Sequence, residues 1–343
     1  MSADSISATA DDAAPRFTNA VRRGTIGVVG SVAAAGQEVS VRIHDFGAGV
    51  SRLIGTGNGN ASEAERATRA IDGLRALDAD GATDVIVLAI RPVASGVEQN
   101  LSDAVRDCSK PVVVCFVGGW RPPVVGAGAS ATRTTKEAAL QAVLLSGVKE
   151  EEIDLHALNW PLITEVRQKL APEQRYVRGL FCGSDLCAEA MFLAMEKYED
   201  VHGNAHPLAE KRVAIDAPSV GHTFIDYATL DGRPDPIVDP AVRTDRLLRE
   251  ADDPEVGVIA LDFILGEHAH EDPVGVMLPA IVEAKQRAAG RGRHLEILGY
   301  VLGTDLDTPS VGDQVAALEA AGVTIASSNA NTGLLSREFV AKG

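Results

Sequence analysis

The sequence predicts two successive α/β domains, each a parallel sheet between two layers of helices. Three observations carry this. Short β-branched apolar runs alternate with Ala-rich helical stretches along the chain. The runs are mainly apolar, as in strands covered on both faces, and do not alternate regularly with polar residues. The same order of landmarks then occurs twice, which is the mark of an internal repeat.

In the first half, Thr25–Val29, Val50–Ile54, Asp84–Ile90 and Pro111–Val117 read as buried strands. Helical patterns at Gly36–Phe46, Ser62–Leu77 and Val97–Cys108 lie between them. Ser62 followed by Glu65 is a capping-box signature. The pattern restarts with strands at Val177–Cys182, Arg212–Ile215, Val256–Phe263 and Leu295–Leu302. Its helices are Leu186–Lys197, Ala241–Ala251, Val274–Ala288 and Gly312–Ala321. Right-handed crossovers follow from the connection rule for parallel strands.

The halves superpose in sequence. Ile26-Gly-Val-Val-Gly-Ser31 matches Gly179-Leu-Phe-Cys-Gly-Ser184, each a strand followed by a Gly-Ser turn and a helix. Gly55 to Asn60 matches Asp231 to Pro236, Asp84 to Ile90 matches Glu255 to Asp262, and Pro111 to Gly118 matches Glu296 to Gly303. The expected layout is an unstructured tail over 1–23, a flavodoxin-like three-layer domain over 24–148, an acidic linker over 149–174 and a second such domain over 175–343.

The 343 residues carry a net charge of -16, which argues against a nucleic-acid partner, since holding the phosphate backbone needs a basic face. No apolar run approaches the roughly 18 residues of a membrane helix. Residues 1–15 lack the apolar core of a signal peptide. Cys108, Cys115, Cys182 and Cys187 form no C-x-x-C pattern and no evident disulfide framework. A cytoplasmic protein without membrane association is expected.

The first repeat carries Gly24-Thr-Ile-Gly-Val-Val-Gly-Ser31, the Gly/Asn loop, Lys110-Pro-Val-Val-Val114 and Gly118-Gly119, and the second ends in Ala316-Ala-Leu-Glu-Ala-Ala-Gly-Val-Thr324. This order resembles the ligase domain of a succinyl-CoA synthetase α subunit. The tandem arrangement, with Arg178 to Gly183, Leu186 to Ala190, Gly221 to Asp226 and Gly232 to Asp239, is similar to the FdrA family of acyl-CoA-synthetase-like proteins. The resemblance spans about residues 24–340.

It departs from the ligase pattern twice. A CoA-binding domain precedes the first strand in such α subunits, and about 23 residues do so here. CoA binding is therefore not expected. The phosphohistidine loop of those ligases corresponds to Thr304–Val311, which contains no His. A phosphoryl relay needs that nucleophile. The FdrA resemblance instead implies one subunit of an oxamate carbamoyltransferase in purine and allantoin catabolism, interconverting oxalurate plus phosphate with oxamate plus carbamoyl phosphate. The alternatives are a CoA-dependent acyl ligase subunit relying on partner chains, and a non-catalytic scaffold of such a complex. Each implies partner protein subunits, and the first two a small anionic substrate with carbamoyl, phosphate or carboxylate groups.

Ligands of doubly wound sheets bind beyond the carboxyl ends of the strands. Gly30 and Ser31, and Gly183 and Ser184, are thus anion-binding candidates at helix starts, unless Gly only permits the turn and Ser only caps the helix. Gly57 and Asn58 lie in a Gly/Asn run that forms either an anion nest or a plain loop. His222 and Asp226 are read as an imidazole and a carboxylate in one short loop, suited to proton transfer. Arg233 suits bidentate oxoanion recognition. Asp262, near the end of a buried strand, is paired or used. Asn329 is a further candidate for the same mouth. His268 and His270 are candidates for a divalent metal, without an evident third ligand. No other cofactor is implied. Cys182 beside a helix start is either a nucleophile or inert packing.

Overall fold

A computed structural model describes residues 18–31, 34–57, 62–92, 95–119, 129–229, 232 and 234–342. The chain divides into two compact units. The first is Met1–Leu155 with Gly266–His268 and Gly303–Asp307, and the second is His156–Leu265, Ala269–Leu302 and Thr308–Gly343.

The first unit runs β1 (Arg23–Gly30), α1 (Ala35–Asp45), β2 (Val50–Gly55), α2 (Glu63–Ala79), β3 (Val85–Ile90), α3 (Ser95–Asp107), β4 (Val112–Phe116), β5 (Ser130–Thr132) and α4 (Thr135–Leu145). Its sheet has the order β2-β1-β3-β4-β5, parallel throughout. That is the flavodoxin-like order. Helices α1 and α4 pack together, as do α2 and α3, giving the two outer layers. The α2–α3 side of the core gathers Val29, Leu74, Leu77, Ile86, Leu88, Leu101 and Val114. The predicted strands and helices of this half are all present. Ser62 caps α2 with Glu65 returning the bond, a complete capping box.

The expected tail is partly built in. Asn19 and Val21 are buried, Thr18 bridges Glu267, and β1 begins at Arg23. Residues 1–17 lie outside the described set.

The second unit runs α5 (Trp160–Lys169), β6 (Tyr176–Phe181), α6 (Ser184–Met195), β7 (Val201–Gly203), β8 (His222–Asp226), α7 (Thr244–Asp252), β9 (Val256–Ile264), α8 (Pro273–Gly290), β10 (Glu296–Leu302), α9 (Val311–Ala320), β11 (Thr324–Ile325) and α10 (Asn329–Phe339). The sheet order is β11-β10-β9-β6-β8-β7, again all parallel. Leaving aside the short edge strand β7, this is the first unit's order repeated. Helices α5, α6 and α10 form one layer and α7, α8 and α9 the other. Every residue of β9 is buried, as a central strand covered on both faces requires. Helix α5 occupies part of the stretch expected as a linker.

One strand lies elsewhere than the sequence predicts. Arg212–Ile215 is not a strand; it makes only an isolated bridge from Arg212 to Gly203. The strand is His222–Asp226, paired parallel to β6 and β7 and buried throughout. A titratable residue at each end of His-Thr-Phe-Ile-Asp hides an otherwise strand-like run. Pairing is decided by the neighbours the strand finds, not by its own polarity.

Candidate functional site

In each sheet the order reverses direction beside the first strand: between β1 and β3 in the first unit, and between β6 and β9 in the second. The crevice at the carboxyl ends of those strands is where doubly wound folds hold ligands.

In the second unit this place is built from β6, its turn, β9 and the segment before α7. Phe181 pairs with Asp226 on one side, and Leu180 pairs with Leu261 on the other. The turn Cys182–Gly183 therefore lies between Asp226 and Asp262. Both carboxylates are wholly buried.

Asp262 is tied to the turn. Its Oδ1 accepts from the Cys182 amide at 2.6 Å and its Oδ2 from the Gly183 amide at 2.8 Å. These two amides are thus already occupied by the protein's own carboxylate. The predicted anion cradle at Gly183 is corrected to that extent. Gly183 does serve as N-cap of α6 without a side-chain cap, and Ser184 is the first helical residue. Burial pushes the Asp262 carboxyl above its usual range, opposed by Arg243 and the turn amides.

Arg243 is the residue that sequence reasoning missed. It is fully buried at the end of the one-turn segment Pro240–Arg243. Its Nη1 donates to the carbonyls of Asp262 (2.7 Å) and Leu180 (3.0 Å) and to Asp262 Oδ1 (3.1 Å). Its guanidinium lies 5.3 Å from the Phe263 ring centroid. Among the described residues its Nε and Nη2 have no hydrogen-bond partner. An Arg on a short surface-like Asp-Pro-Ala-Val-Arg run carries no sequence signal for such burial.

Asp226 stays at this edge, but its Oδ1 accepts from the Ala228 amide at 3.0 Å, closing the turn after β8. Asn204 donates to the Asp226 carbonyl and accepts from its amide, each at 2.8 Å. Cys182 Sγ donates to the Pro236 carbonyl at 3.2 Å, and burial holds the thiol well above its usual range. It is therefore unsuited to act as a thiolate.

His222 is not at this edge. It opens β8 while Asp226 closes it, so about 13 Å of strand separates their Cα atoms. The two cannot share a proton directly. At the amino edge, His222 Nδ1 accepts from the Val177 amide at 3.2 Å. Its ring stacks on Tyr198 at 4.1 Å and meets Tyr176 edge-on at 5.5 Å. Burial, with Arg178 adding to it, lowers its pKa to about 4. A buried ion network stands beside it: Arg178 reaches Glu250 at 2.6 Å and Asp253 at 3.0 Å, and Arg246 also holds Glu250. The predicted proton-transfer pair is thus a packed histidine and a turn carboxylate.

Asn329, the first residue of α10, is buried. Its amide nitrogen donates to the Leu186 carbonyl (3.1 Å) and to Glu189 Oε2 (2.7 Å), which joins α10 to α6. Arg233 and Asn58 lie outside the described residues.

In the first unit, Gly30 closes β1, and its carbonyl accepts from the Thr56 amide at 3.0 Å. Ser31 Oγ accepts from the Ala35 amide at 3.3 Å, while the N-cap of α1 is Ala34. Gly57 takes a positive φ of 107°, which favours glycine.

His268 is exposed and belongs to the first unit; His270 belongs to the second, and its Nδ1 accepts from the Asp272 amide at 2.9 Å. Among the described residues no group of three or more His, Cys, Asp or Glu is placed to hold a metal ion. No helix among them is long and apolar enough to cross a membrane.

The loop after β10 belongs in part to the first unit. Asp305 Oδ1 lies 2.8 Å from His44 Nε2 of α1. Asp307 accepts from the amides of Ala20 (2.7 Å) and Thr304 (2.8 Å) and from the Asn19 side chain (3.0 Å). Because His44 Nδ1 accepts from the Arg22 amide at 3.0 Å, its Nε2 is the protonated nitrogen that donates to Asp305. The loop therefore carries bound carboxylates where the ligase pattern has a histidine.

Residues 180–338 match the CoA-ligase family. An apo dinucleotide-forming acetyl-coenzyme A synthetase of Ca. Korarchaeum cryptofilum aligns at 15% identity over 93% of this chain and 65% of its own, with a TM-score of 0.33. The ATP citrate lyase of Methanosaeta concilii aligns at 12% identity over 94% of this chain and 50% of its own, with a TM-score of 0.30. The chain spans less than two thirds of the length of either. The uncharacterized protein YahF of Escherichia coli (strain K12) is 51% identical over 346 residues, covering 100% of this chain and 67% of YahF. With that identity along its whole length, the chain belongs to the family of YahF.

Proposed function

We propose that the chain is a subunit of a CoA-dependent acyl ligase, working in the cytoplasm with partner chains that supply CoA binding and the phosphoryl carrier. The observation that carries this reading is the CoA-ligase match over 180–338, which spans nearly all of the second unit's sheet. The buried Asp262–Arg243 pair at the switch point of that sheet supports it, because a small carboxylate substrate needs a fixed positive group at such a crevice. In this reading the chain positions the acyl group and does not itself carry phosphate.

The test uses the chain purified with its native partners, ATP, CoA and a panel of small carboxylates. Thioester formation that depends on this chain supports the reading. No thioester with every carboxylate, the partners being present, overturns it.

A second reading is carbamoyl transfer: phosphate attacks the carbamoyl carbon of oxalurate, oxamate leaves with the proton, and carbamoyl phosphate forms. The loop Thr304–Val311 favours it, since that reaction needs no phosphohistidine. Carbamoyl phosphate formed from oxalurate and phosphate, with no thioester formed from CoA, would choose this reading over the first.

A further inference from the structure

We propose that the second unit binds a small oxoanion, a carboxylate or a phosphate group, on the Nε and Nη2 edge of Arg243 at the carboxyl ends of β6 and β9. The inference rests on the ligase-type reading of this unit and names the group that would hold the substrate's anionic end.

Arg243 is already held by the protein along one part of its guanidinium. One nitrogen, Nη1, serves three acceptors: the Leu180 carbonyl, the Asp262 carbonyl and Asp262 Oδ1. These bonds fix the guanidinium plane against the ends of two central strands. Among the described residues the other two nitrogens, Nε and Nη2, have no hydrogen-bond partner although the side chain is completely buried. They are the two whose N–H bonds run parallel along one edge of the group. That edge matches the spacing of two oxygens on a carboxylate or phosphate. Leaving such donors unpaired in the interior is costly, and an anion in their plane removes the cost.

Charge points the same way. Asp262 faces Arg243 but divides its carboxylate among Arg243 and the amides of Cys182 and Gly183. The guanidinium is thus only partly neutralised. The Phe263 ring, 5.3 Å away, walls the group on one face and lowers the local dielectric. The position is the topological switch point, where doubly wound sheets bind anionic ligands.

The experiment uses the full chain alone, without CoA, ATP or partners, so its outcome does not depend on the ligase assay. With 15N-labelled arginine, the Nε–H resonance of Arg243 is followed during titration with inorganic phosphate and, separately, with succinate. A saturable shift of that resonance is expected, and the tighter of the two anions identifies phosphate or carboxylate as the group recognised. Arg243→Lys retains the charge and one reach to Asp262 but has no parallel fork. It should stay folded and bind the preferred anion at least tenfold more weakly. Asp262→Asn removes the competing negative charge and should bind severalfold more tightly. A wild-type resonance that neither anion moves overturns the proposal. So does an Arg243→Lys chain that binds as the wild type does.

Discussion

The carboxylate of Asp262 lies 2.8 Å from the backbone amide of Gly183, where an incoming anion would sit at the start of α6. The protein has filled its own turn, and Arg243 sits behind the same carboxylate at 3.1 Å. Asp262→Ala would leave a buried guanidinium and two turn amides without their acceptor. The expected loss is about 3–5 kcal/mol, read as a lower denaturant midpoint for the second unit. Asp262→Asn keeps one acceptor oxygen and should lose less. Equal stability of Asp262→Ala and wild type would mean that the turn does not depend on this carboxylate.

His222 gives the fold a pH dependence with a definite sign. Its pKa is near 6.5 unfolded and about 4 in the fold, held down first by burial and then by Arg178. Above pH 6.5 the ring is neutral in both states and its contribution is complete. Below that, the unfolded chain takes up the proton first, so stability falls as pH drops from 6.5 towards 4, by about 3 kcal/mol in all. His222→Gln should flatten that part of the curve and lower stability at neutral pH. It should leave turnover in the assembled complex unchanged below the melting temperature, because the ring lies at the amino edge. A tenfold loss of kcat with an unaltered pH–stability curve would reverse this assignment.

Two carboxylates of one loop should behave differently on substitution. Asp305 is mostly exposed and makes one bond to His44, so Asp305→Ala should cost under about 1 kcal/mol. Asp307 is buried and accepts from Ala20, Thr304 and Asn19, so Asp307→Ala should cost about 2–4 kcal/mol. Thermal melts of the two variants provide the comparison. Incubation with γ-labelled ATP should leave no acid-labile phosphate on residues 303–311, since that loop has no histidine. Label found there would reopen the phosphoryl-relay mechanism.

Ser62 tests a feature read directly from spacing. Its hydroxyl accepts from the Glu65 amide, and the Glu65 carboxylate accepts from the Ser62 amide at 2.8 Å. Hydrogen bonds from Ser62 hold the Glu65 carboxyl below its usual range. Ser62→Ala should cost about 1 kcal/mol through α2 alone. A change in anion binding by this variant would reveal a role for the neighbouring loop that capping does not explain.

Much of the architecture was legible in the chain. Runs such as Val85–Ile90 and Val112–Phe116 are apolar at every position, as strands covered on both faces are. The duplication was legible because the Gly-Ser turns after β1 and β6 recur with their flanking strands. His222–Asp226 was legible as a motif and not as a strand, since its ends are titratable and its partner strands lie at distant positions.

By itself, then, the sequence determined the class of each element, their order, the repeat and the lack of a histidine in the loop after β10. These follow from local periodicity and from residue identity, which need no knowledge of neighbours. Only the tertiary structure decided which polar groups meet. It placed His222 and Asp226 at opposite edges of one sheet. It also brought Arg243 to Asp262 across 19 residues of chain, and Asp262 to Gly183 across 79. The physical reason is that strand order and register, set by burial of whole faces, choose each buried side chain's partners, and no local pattern encodes that choice.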